Sequence, residues 1–318
     1  MNEEDLTEVD PRDSRVSDEN RWRLLRGPSP DTERAAMFDL SNRLRVVKET
    51  IARFEKIAGK TPPPRSVMGV DDRMASPELF STVAGYTLSV AVDNMKALIA
   101  LLDRGDDAVT LYQVAQYPLI RSAIEAGAVA TWLLGPEDRR TRMLHMLQVA
   151  TDELTYDSRL IKRVSLIQSG DSAEERSKRN EMQRSARDSR QRTEVRLAAI
   201  AQRNGIAFEE YEKGLPGWME LIGAATQWAY VDRADLGPTT WFALSGLTHP
   251  STTRALMFSV LEEDSPAVGG VHTARLSASV QSVSMGVACA LQFMFRAEDL
   301  NRRRRLHIDG SPDQIPKS

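Results

Sequence analysis

Two long segments of this chain are nearly free of charge, and they limit its fold more than any other feature. Between Glu78 and Asp103 the only charged residues are Asp93 and Lys96, and residues 276–295 carry no charge at all. Both segments are too long for single strands and lack the alternation of apolar and polar residues that a half-exposed strand requires. They therefore predict helices that are buried on most of their surface.

Other segments show the three-four spacing of helices that cover a core from outside. Between Thr32 and Ala58, apolar residues recur on one face while Arg, Lys and Glu occupy the other. Ser172 with Glu175 three residues later forms a capping box, which predicts a helix that runs to about Arg203. No segment of the chain gives a convincing strand pattern.

Together these patterns predict an all-α protein, a multi-helix bundle of about eight helices with a protruding charged helical hairpin. The expected bundle helices lie at residues 32–58, 77–103, 110–135, 216–230, 238–249 and 271–305, and the hairpin lies at residues 137–203. We expect the hairpin to project into solvent because its second helix is almost entirely polar between residues 176 and 194.

Proline and serine residues predict how the first bundle helices are joined. Residues 60–74 contain three consecutive prolines, so we expect an extended connector there. Ser76 and Pro77 then have the pattern of an N-cap and a first helical residue. Pro118 is expected to kink the third helix or to mark its true start.

The two ends of the chain are expected to lie outside a single helical domain at residues 32–305. Residues 1–31 predict a disordered acidic tail, because the first 20 residues carry eight acidic and two basic residues and no apolar run. That composition is the opposite of a signal peptide. Residues 306–318 are expected to form a flexible tail. Between residues 250 and 271, a short helix over Thr252–Glu262 followed by a loop fits the pattern.

Composition excludes several classes of function. The 318 residues carry a net charge of −3, so no polyanionic partner is required. The single cysteine, Cys289, cannot form an internal disulfide or a multi-cysteine zinc site, and we expect a buried thiol and a reducing, cytoplasmic location. Ser and Gln scattered through residues 276–295 favour a buried helix over a membrane span. No phosphate-binding loop, metal-binding motif or nucleophile elbow is present, so we predict no cofactor and no metal.

Arg121 and Glu125 are the only charged residues between Pro118 and Leu134. Their spacing of four places them on one helix face, where they can contact each other. One interpretation is an internal ion pair that ties helices together, since a buried charge without a partner is costly. The other is a polar pocket that grips an anionic group or positions a water molecule.

Ser245 and His249 are also four residues apart, at a helix end that Pro250 enforces. The serine hydroxyl could orient the imidazole for proton transfer. Alternatively, the histidine only satisfies the carbonyl groups and the dipole at the C-terminal end of its helix. If His249 meets Arg121 and Glu125, the case for a catalytic site becomes much stronger.

The segment Tyr117–Ala126, followed by Ser245-x-x-x-His249, resembles a pattern in a broad group of uncharacterised bacterial helical proteins, some of which are likened to the HEPN superfamily. The resemblance covers about residues 112 to 270. It implies a helical bundle that is either an RNA-cleaving enzyme or a scaffolding relative without activity. The ribonuclease signature of that superfamily is an Arg, usually followed by a polar residue such as Asn, Asp or His, and then a His four to six residues on.

Two places in the chain have the signature spacing. Arg139 and Arg140 precede His145, and Arg302 precedes His307. His145 lies opposite the apolar stripe of its predicted helix, so we expect it to be an exposed surface histidine.

Two functions from different classes follow from these observations. The first is a non-catalytic interaction or regulatory protein, linked to bacterial defence, in which Arg121 and Glu125 are structural. The second is a metal-independent ribonuclease or similar hydrolase whose catalytic centre is formed by Arg121, Glu125, His249 and Ser245. Residues 171–203 carry nine basic and six acidic residues and are the expected surface for an RNA or protein partner. The oligomeric state is left open.

Overall fold

The structure is a computed structural model that describes residues 30–105, 109–166, 172–229, 235–249, 251–268 and 271–306. The expected tails at residues 1–31 and 306–318 lie almost wholly outside the described residues, as does His307. The helices are α1 (Pro30–Glu55), α2 (Val67–Ala75), α3 (Phe80–Leu102), α4 (Gln116–Leu134), α5 (Arg139–Leu166), α6 (Ala173–Arg203), α7 (Phe208–Tyr211), α8 (Trp218–Thr226), α9 (Leu236–Leu247), α10 (Thr252–Phe258) and α11 (Val280–Leu306).

The two charge-poor segments form the centre of the fold, and the predicted all-α bundle is confirmed. Helix α11 packs against both α1 and α4, and α3 packs against α4. Glu33 accepts a hydrogen bond from the backbone nitrogen of Val280 at 3.2 Å, and Arg53 pairs with Glu298 at 3.4 Å, so α1 and α11 run in parallel. The core includes fully buried Leu88, Met95, Ile120, Ile124 and Phe293.

The expected connector at residues 60–74 is only partly extended, because helix α2 occupies its second half. The three consecutive prolines prevent a helix only where they stand, and the residues that follow them are free to form one. The Ser66 side chain accepts a hydrogen bond from the backbone nitrogen of Gly69 at 3.1 Å and caps the helix. A Cβ on Gly69 would clash with the backbone carbonyl of Pro63, so this glycine permits the close approach of α2 to the proline segment.

The N-cap predicted at Ser76 is wrong. Ser76 ends α2, and α3 begins at Phe80 after Leu79, whose side chain makes no capping hydrogen bond. The cap comes from Asp72 of α2, which accepts hydrogen bonds from the backbone nitrogen of Ser81 at 2.7 Å and from its hydroxyl at 2.8 Å. A cap supplied by another helix leaves no local signal in the sequence.

The chain between α10 and α11 forms a two-stranded antiparallel hairpin, against the expectation that no strand exists. Strand β1 spans Ser259–Val268 and β2 spans Val271–Ala278, with Ser259 opposite Ala278. The last helix therefore begins at Val280 and not at Val271. Glu33 of α1 binds the Val280 nitrogen and thereby satisfies a free N–H group at this helix start.

The predicted start of the third bundle helix at residue 110 is wrong, while the alternative that Pro118 marks its true start and the predicted capping box of α6 are confirmed. Helix α4 begins at Gln116, so Pro118 lies in its first turn, where the missing N–H group costs nothing. Helix α6 begins with the predicted capping box of Ser172 and Glu175. It ends before Gly205, whose φ of 62° favours glycine.

Helices α5 and α6 leave the bundle after sharing its core at one end. Met143, Met146 and Leu147 of α5 are buried in the bundle, as are Leu197 and Ile200 of α6. Beyond that base, no described side chain within residues 151–164 or 172–196 is buried. Arg190 of α6 contacts Ser158 of α5 there. We call these two stretches the distal pair.

Candidate functional site

Arg121 and Glu125 contact each other on α4, as the spacing predicts. The Arg121 Nε lies 2.9 Å from the Glu125 Oε1. Their side chains are 26% and 18% exposed, so the pair lies at the edge of the core and not sealed within it. A pair at this depth retains some contact with water, which lowers the cost of removing both charges from solvent.

Helix α9 completes a polar cluster around this ion pair. The indole Nε1 of Trp241 donates a hydrogen bond to the Glu125 Oε1 at 2.8 Å. A guanidinium nitrogen of Arg121 donates to the Thr248 hydroxyl at 3.3 Å, and the guanidinium lies 5.6 Å from the centroid of the Trp241 ring. The cluster therefore links α4 to α9 and its C-terminal end through two hydrogen bonds and one cation–π contact.

Ser245 belongs to the same face of α9. Trp241, Ser245 and Thr248 are spaced by four and three residues, so all three point in similar directions from the helix. The Thr248 hydroxyl donates to the Ser245 carbonyl at 2.8 Å, while the Ser245 hydroxyl is buried and has no hydrogen-bond partner within the described part of the chain. The i, i+4 signal of Ser245 and His249 was noticed in the sequence, but the same spacing back to Trp241 was missed.

His249 is exposed just beyond the end of α9. Within the described residues, no hydrogen bond or ion pair joins its imidazole to Arg121 or Glu125. The neighbouring Thr248 takes the position next to Arg121. The structure thus brings Arg121 and Glu125 together on α4 and places Ser245 and Thr248 on the α9 face that contacts them, while His249 is an exposed residue.

His145 is buried, and the expectation of an exposed surface histidine is wrong. Its ring stacks on Trp132 with a centroid distance of 3.6 Å and an interplanar angle of 10°. Burial lowers the pKa of His145 to about 4, so the ring is neutral at pH 7. Its Nδ1 donates to the Trp132 carbonyl at 2.8 Å, because a carbonyl oxygen can only accept. The start of α5 is buried on more than one face of the helix, so the single apolar stripe in its sequence could not predict the burial of His145.

The arginines of the signature spacing are engaged elsewhere. Arg140 binds Glu210 at 2.7 Å and the Gly205 carbonyl at 3.0 Å. Arg139 lies 3.3 Å from Asp71. These contacts attach α5 to α2 and α7 and leave the side chain of His145 enclosed in the core.

A cluster that the sequence analysis missed surrounds Asp71 of α2. Asp71 is fully buried and accepts two hydrogen bonds from Arg142, at 2.7 and 2.8 Å. Arg142 also donates to the carbonyls of Pro136 and Glu137. Arg304 of α11 donates to the carbonyls of Leu134 and Pro136.

Together these arginines satisfy carbonyl groups at the end of α4, where the helix itself offers no partners. Arg304 belongs to a run of four consecutive arginines at residues 302–305, and its side chain is buried. We assign a structural role to the Asp71 cluster. Arg142 neutralises the Asp71 carboxylate, and the guanidinium groups of Arg142 and Arg304 donate their hydrogen bonds within the protein.

The distal pair has a different character. Between residues 159 and 192 its described part carries ten basic and four acidic residues. A groove of about 660 Å³ lies between the two helices, with Leu154, Ile161 and Ala186 among its apolar lining residues and Lys162, Arg187 and Arg190 among its basic ones. Arg190 donates a hydrogen bond to the Ser158 hydroxyl across this groove.

Neither metal ligation, nor membrane-spanning helices, nor similarity to known proteins adds a further assignment. The described residues contain no group of three or more His, Cys, Asp or Glu side chains that could hold a metal ion. Within the same ranges, no helix has the length and hydropathy needed to cross a membrane. No protein-family model matches the chain, and no curated protein or solved structure is significantly similar to it.

Proposed function

We propose that the protein is a non-catalytic interaction or regulatory protein, in which the bundle is a scaffold and the distal pair is the interaction element. The observation that carries this proposal is the exposure of two long helices over residues 151–164 and 172–196, none of whose described side chains is buried. Most helices gain their stability by burying an apolar face against the rest of the protein. These two stretches bury no described side chain, so their surfaces remain available to a binding partner.

The polar clusters support a structural role for the buried charges. Glu125 is held by Arg121 and Trp241, and both contacts use the same carboxylate oxygen. General acid–base catalysis needs a titratable group within hydrogen-bond reach of the reacting atoms. His145 is neutral and enclosed, and His249 makes no described contact with the ion pair.

A protein partner fits the distal pair better than RNA does. The basic residues there would attract a phosphate backbone. However, binding of single-stranded RNA also relies on aromatic side chains that stack with bases, and Tyr156 is the only Phe, Tyr or Trp of the distal pair. The resemblance to scaffolding relatives of the HEPN superfamily points to bacterial defence as the setting.

One observation favours a second candidate, a metal-independent ribonuclease or hydrolase. The Ser245 hydroxyl is buried without a partner on the helix face that carries Thr248 and Trp241. Unpaired buried hydroxyl groups are uncommon, and they occur at catalytic sites. His249 would have to turn towards Arg121 and Glu125 to complete such a centre.

Incubation of the full chain with total RNA separates the two candidates. We expect RNA to stay intact with the wild-type protein and with the Arg121→Ala and His249→Ala variants. Cleavage by the wild-type protein that either substitution abolishes would contradict the proposal and support the second candidate. Salt-sensitive RNA binding without cleavage would keep the scaffold role and assign RNA as the partner.

A further inference from the structure

A cavity of about 380 Å³ lies where the end of α1 and the segment after it meet α2, the first turns of α3 and the last turns of α11. Its size falls within the range of small-molecule sites in proteins, which extends from about 300 to 1,000 Å³. The cavity belongs to the bundle and lies apart from both the distal pair and the Arg121 cluster.

Three hydrogen-bond donors that lack an acceptor within the described part of the chain line this cavity. Asn301 of α11 is 2% exposed, and its Oδ1 accepts a hydrogen bond from the Arg305 Nε at 3.1 Å, while its amide nitrogen has no acceptor in the described ranges. Arg305 also donates from Nη1 to the Lys60 carbonyl at 2.6 Å, which leaves its Nη2 without a described partner. The third donor is the ammonium group of Lys60. Buried donors are rarely left without an acceptor, so their convergence points to a ligand.

The charged lining residues favour an anionic ligand. Lys60 and Arg305 are basic, and Asp72 is the one acidic residue among the described lining residues. Both carboxylate oxygens of Asp72 already accept hydrogen bonds from Ser81. Partial burial lowers the pKa of Arg305, because water solvates its charge incompletely. An anion beside the guanidinium would compensate for this lost solvation through charge-assisted hydrogen bonds.

The remaining wall of the cavity is apolar and extends to the surface. Phe54 and Pro62 are buried on its inner side. Leu79 and Tyr86 of the α3 side are 46% and 67% exposed. A ligand with an apolar body would cover part of these two side chains, whereas an inorganic ion would leave them in contact with water.

We propose that this cavity is a binding site for a small organic anion. The acidic group of the ligand, a phosphate or a carboxylate, accepts hydrogen bonds from Arg305 and Asn301. Its apolar body lies against Leu79 and Tyr86. This goes beyond the proposed interaction role, because it assigns a ligand to the scaffold itself.

Isothermal titration calorimetry of the full chain with phenyl phosphate and with benzoate, at constant ionic strength, tests the proposal. We expect at least one of the two to bind with a dissociation constant in the low millimolar range or tighter, and the tighter ligand identifies the acidic group. Inorganic phosphate and acetate lack the apolar body, and phenol lacks the charge. Each of these should bind at least roughly tenfold more weakly.

Two variants locate the site. Arg305→Gln removes a charged donor and should raise the dissociation constant at least roughly tenfold. Arg302→Gln removes the same charge from an exposed position of α11 outside the cavity lining, and should leave the dissociation constant unchanged.

The second variant, Gly85→Leu, fills the cavity. Gly85 lines it, and a Cβ at this position would meet no atom within 4 Å. Leucine also favours a helix more than glycine does, so the variant should fold. Its side chain would occupy the space of the ligand and should weaken binding at least as much as Arg305→Gln. Far-UV circular dichroism checks that each variant remains folded.

Three results would overturn the inference. The first is the absence of saturable binding of both phenyl phosphate and benzoate up to tens of millimolar. The second is binding that either Arg305→Gln or Gly85→Leu leaves unchanged. The third is phenol, acetate or inorganic phosphate binding as tightly as the organic anions. None of these results touches the proposed function, which fails only if the wild-type protein cleaves RNA through Arg121 or His249.

Discussion

Asp71 and Asp157 are the same residue type in two regions of very different character. Asp71 is fully buried and receives two hydrogen bonds from Arg142. Asp157 is exposed on the distal pair and has no partner within the described residues. In the first region the charge joins two helices, α2 and α5, and through Arg142 the loop at Pro136 and Glu137. In the second region the charge lies at the surface, and this contrast separates scaffold from proposed interaction element.

The largest expected effect comes from removing the charge of Asp71. Asp71→Asn leaves Arg142 buried beside a neutral side chain, and breaking a buried ion pair in this way costs about 3–5 kcal/mol of folding stability. Urea unfolding of the full chain measures this loss. The matched change Asp188→Asn on the exposed surface of α6 should alter the free energy of unfolding by less than about 0.5 kcal/mol.

Similar losses from both substitutions would remove the contrast between the two regions. A small loss from Asp71→Asn alone would mean that the carbonyls of Pro136 and Glu137 suffice to hold Arg142.

A smaller effect, of opposite sign, is expected at the base of the distal pair. Partial burial, together with the neighbouring carboxylates of Asp157, Asp152 and Glu78, raises the pKa of Glu153 above its usual value of 4.5. The folded state therefore binds this proton more tightly than the unfolded state. Through Glu153, stability is highest below pH 4.5 and decreases as the pH rises through the raised pKa.

Glu153→Gln should thus stabilise the protein at pH 7 and give no advantage in acid. Thermal unfolding over a series of pH values measures the difference between variant and wild type. Glu181→Gln, the same substitution on the exposed surface of α6, should give a difference near zero at every pH. A Glu153→Gln difference that does not depend on pH would contradict the electrostatic explanation.

Much of the bundle could be predicted because its signals are local. The charge-poor segments, Pro118 in the first turn of α4 and the Ser172–Glu175 capping box all act within a few residues of one another. The contact between Arg121 and Glu125 was predictable for the same reason, since helix geometry alone brings residues i and i+4 together.

The features that were missed depend on contacts between distant parts of the chain. Asp72 caps α3 from another helix, and Glu33 binds the start of α11 from a position almost 250 residues earlier. His145 is buried because Trp132 of α4 stacks on it. The strands β1 and β2 were not predicted because their sequences show no clear alternation of apolar and polar residues. Strand formation depends strongly on the surrounding structure, which a local pattern does not reveal.

The candidate site was predicted in part. Arg121 and Glu125 meet, but the partners that complete their cluster, Trp241 and Thr248, come from α9. The pattern in α9 indicates His249, which is exposed and makes no described contact with the ion pair. A sequence motif could indicate which helix contributes, but not which of its side chains contacts α4.

Amide hydrogen exchange of the full chain tests the division into scaffold and interaction element most directly. We expect residues 143–149 of α5 and 197–201 of α6 to exchange as slowly as α4, while residues 151–164 and 173–195 exchange much faster. Distal helices that are protected as strongly as α4 would contradict the account.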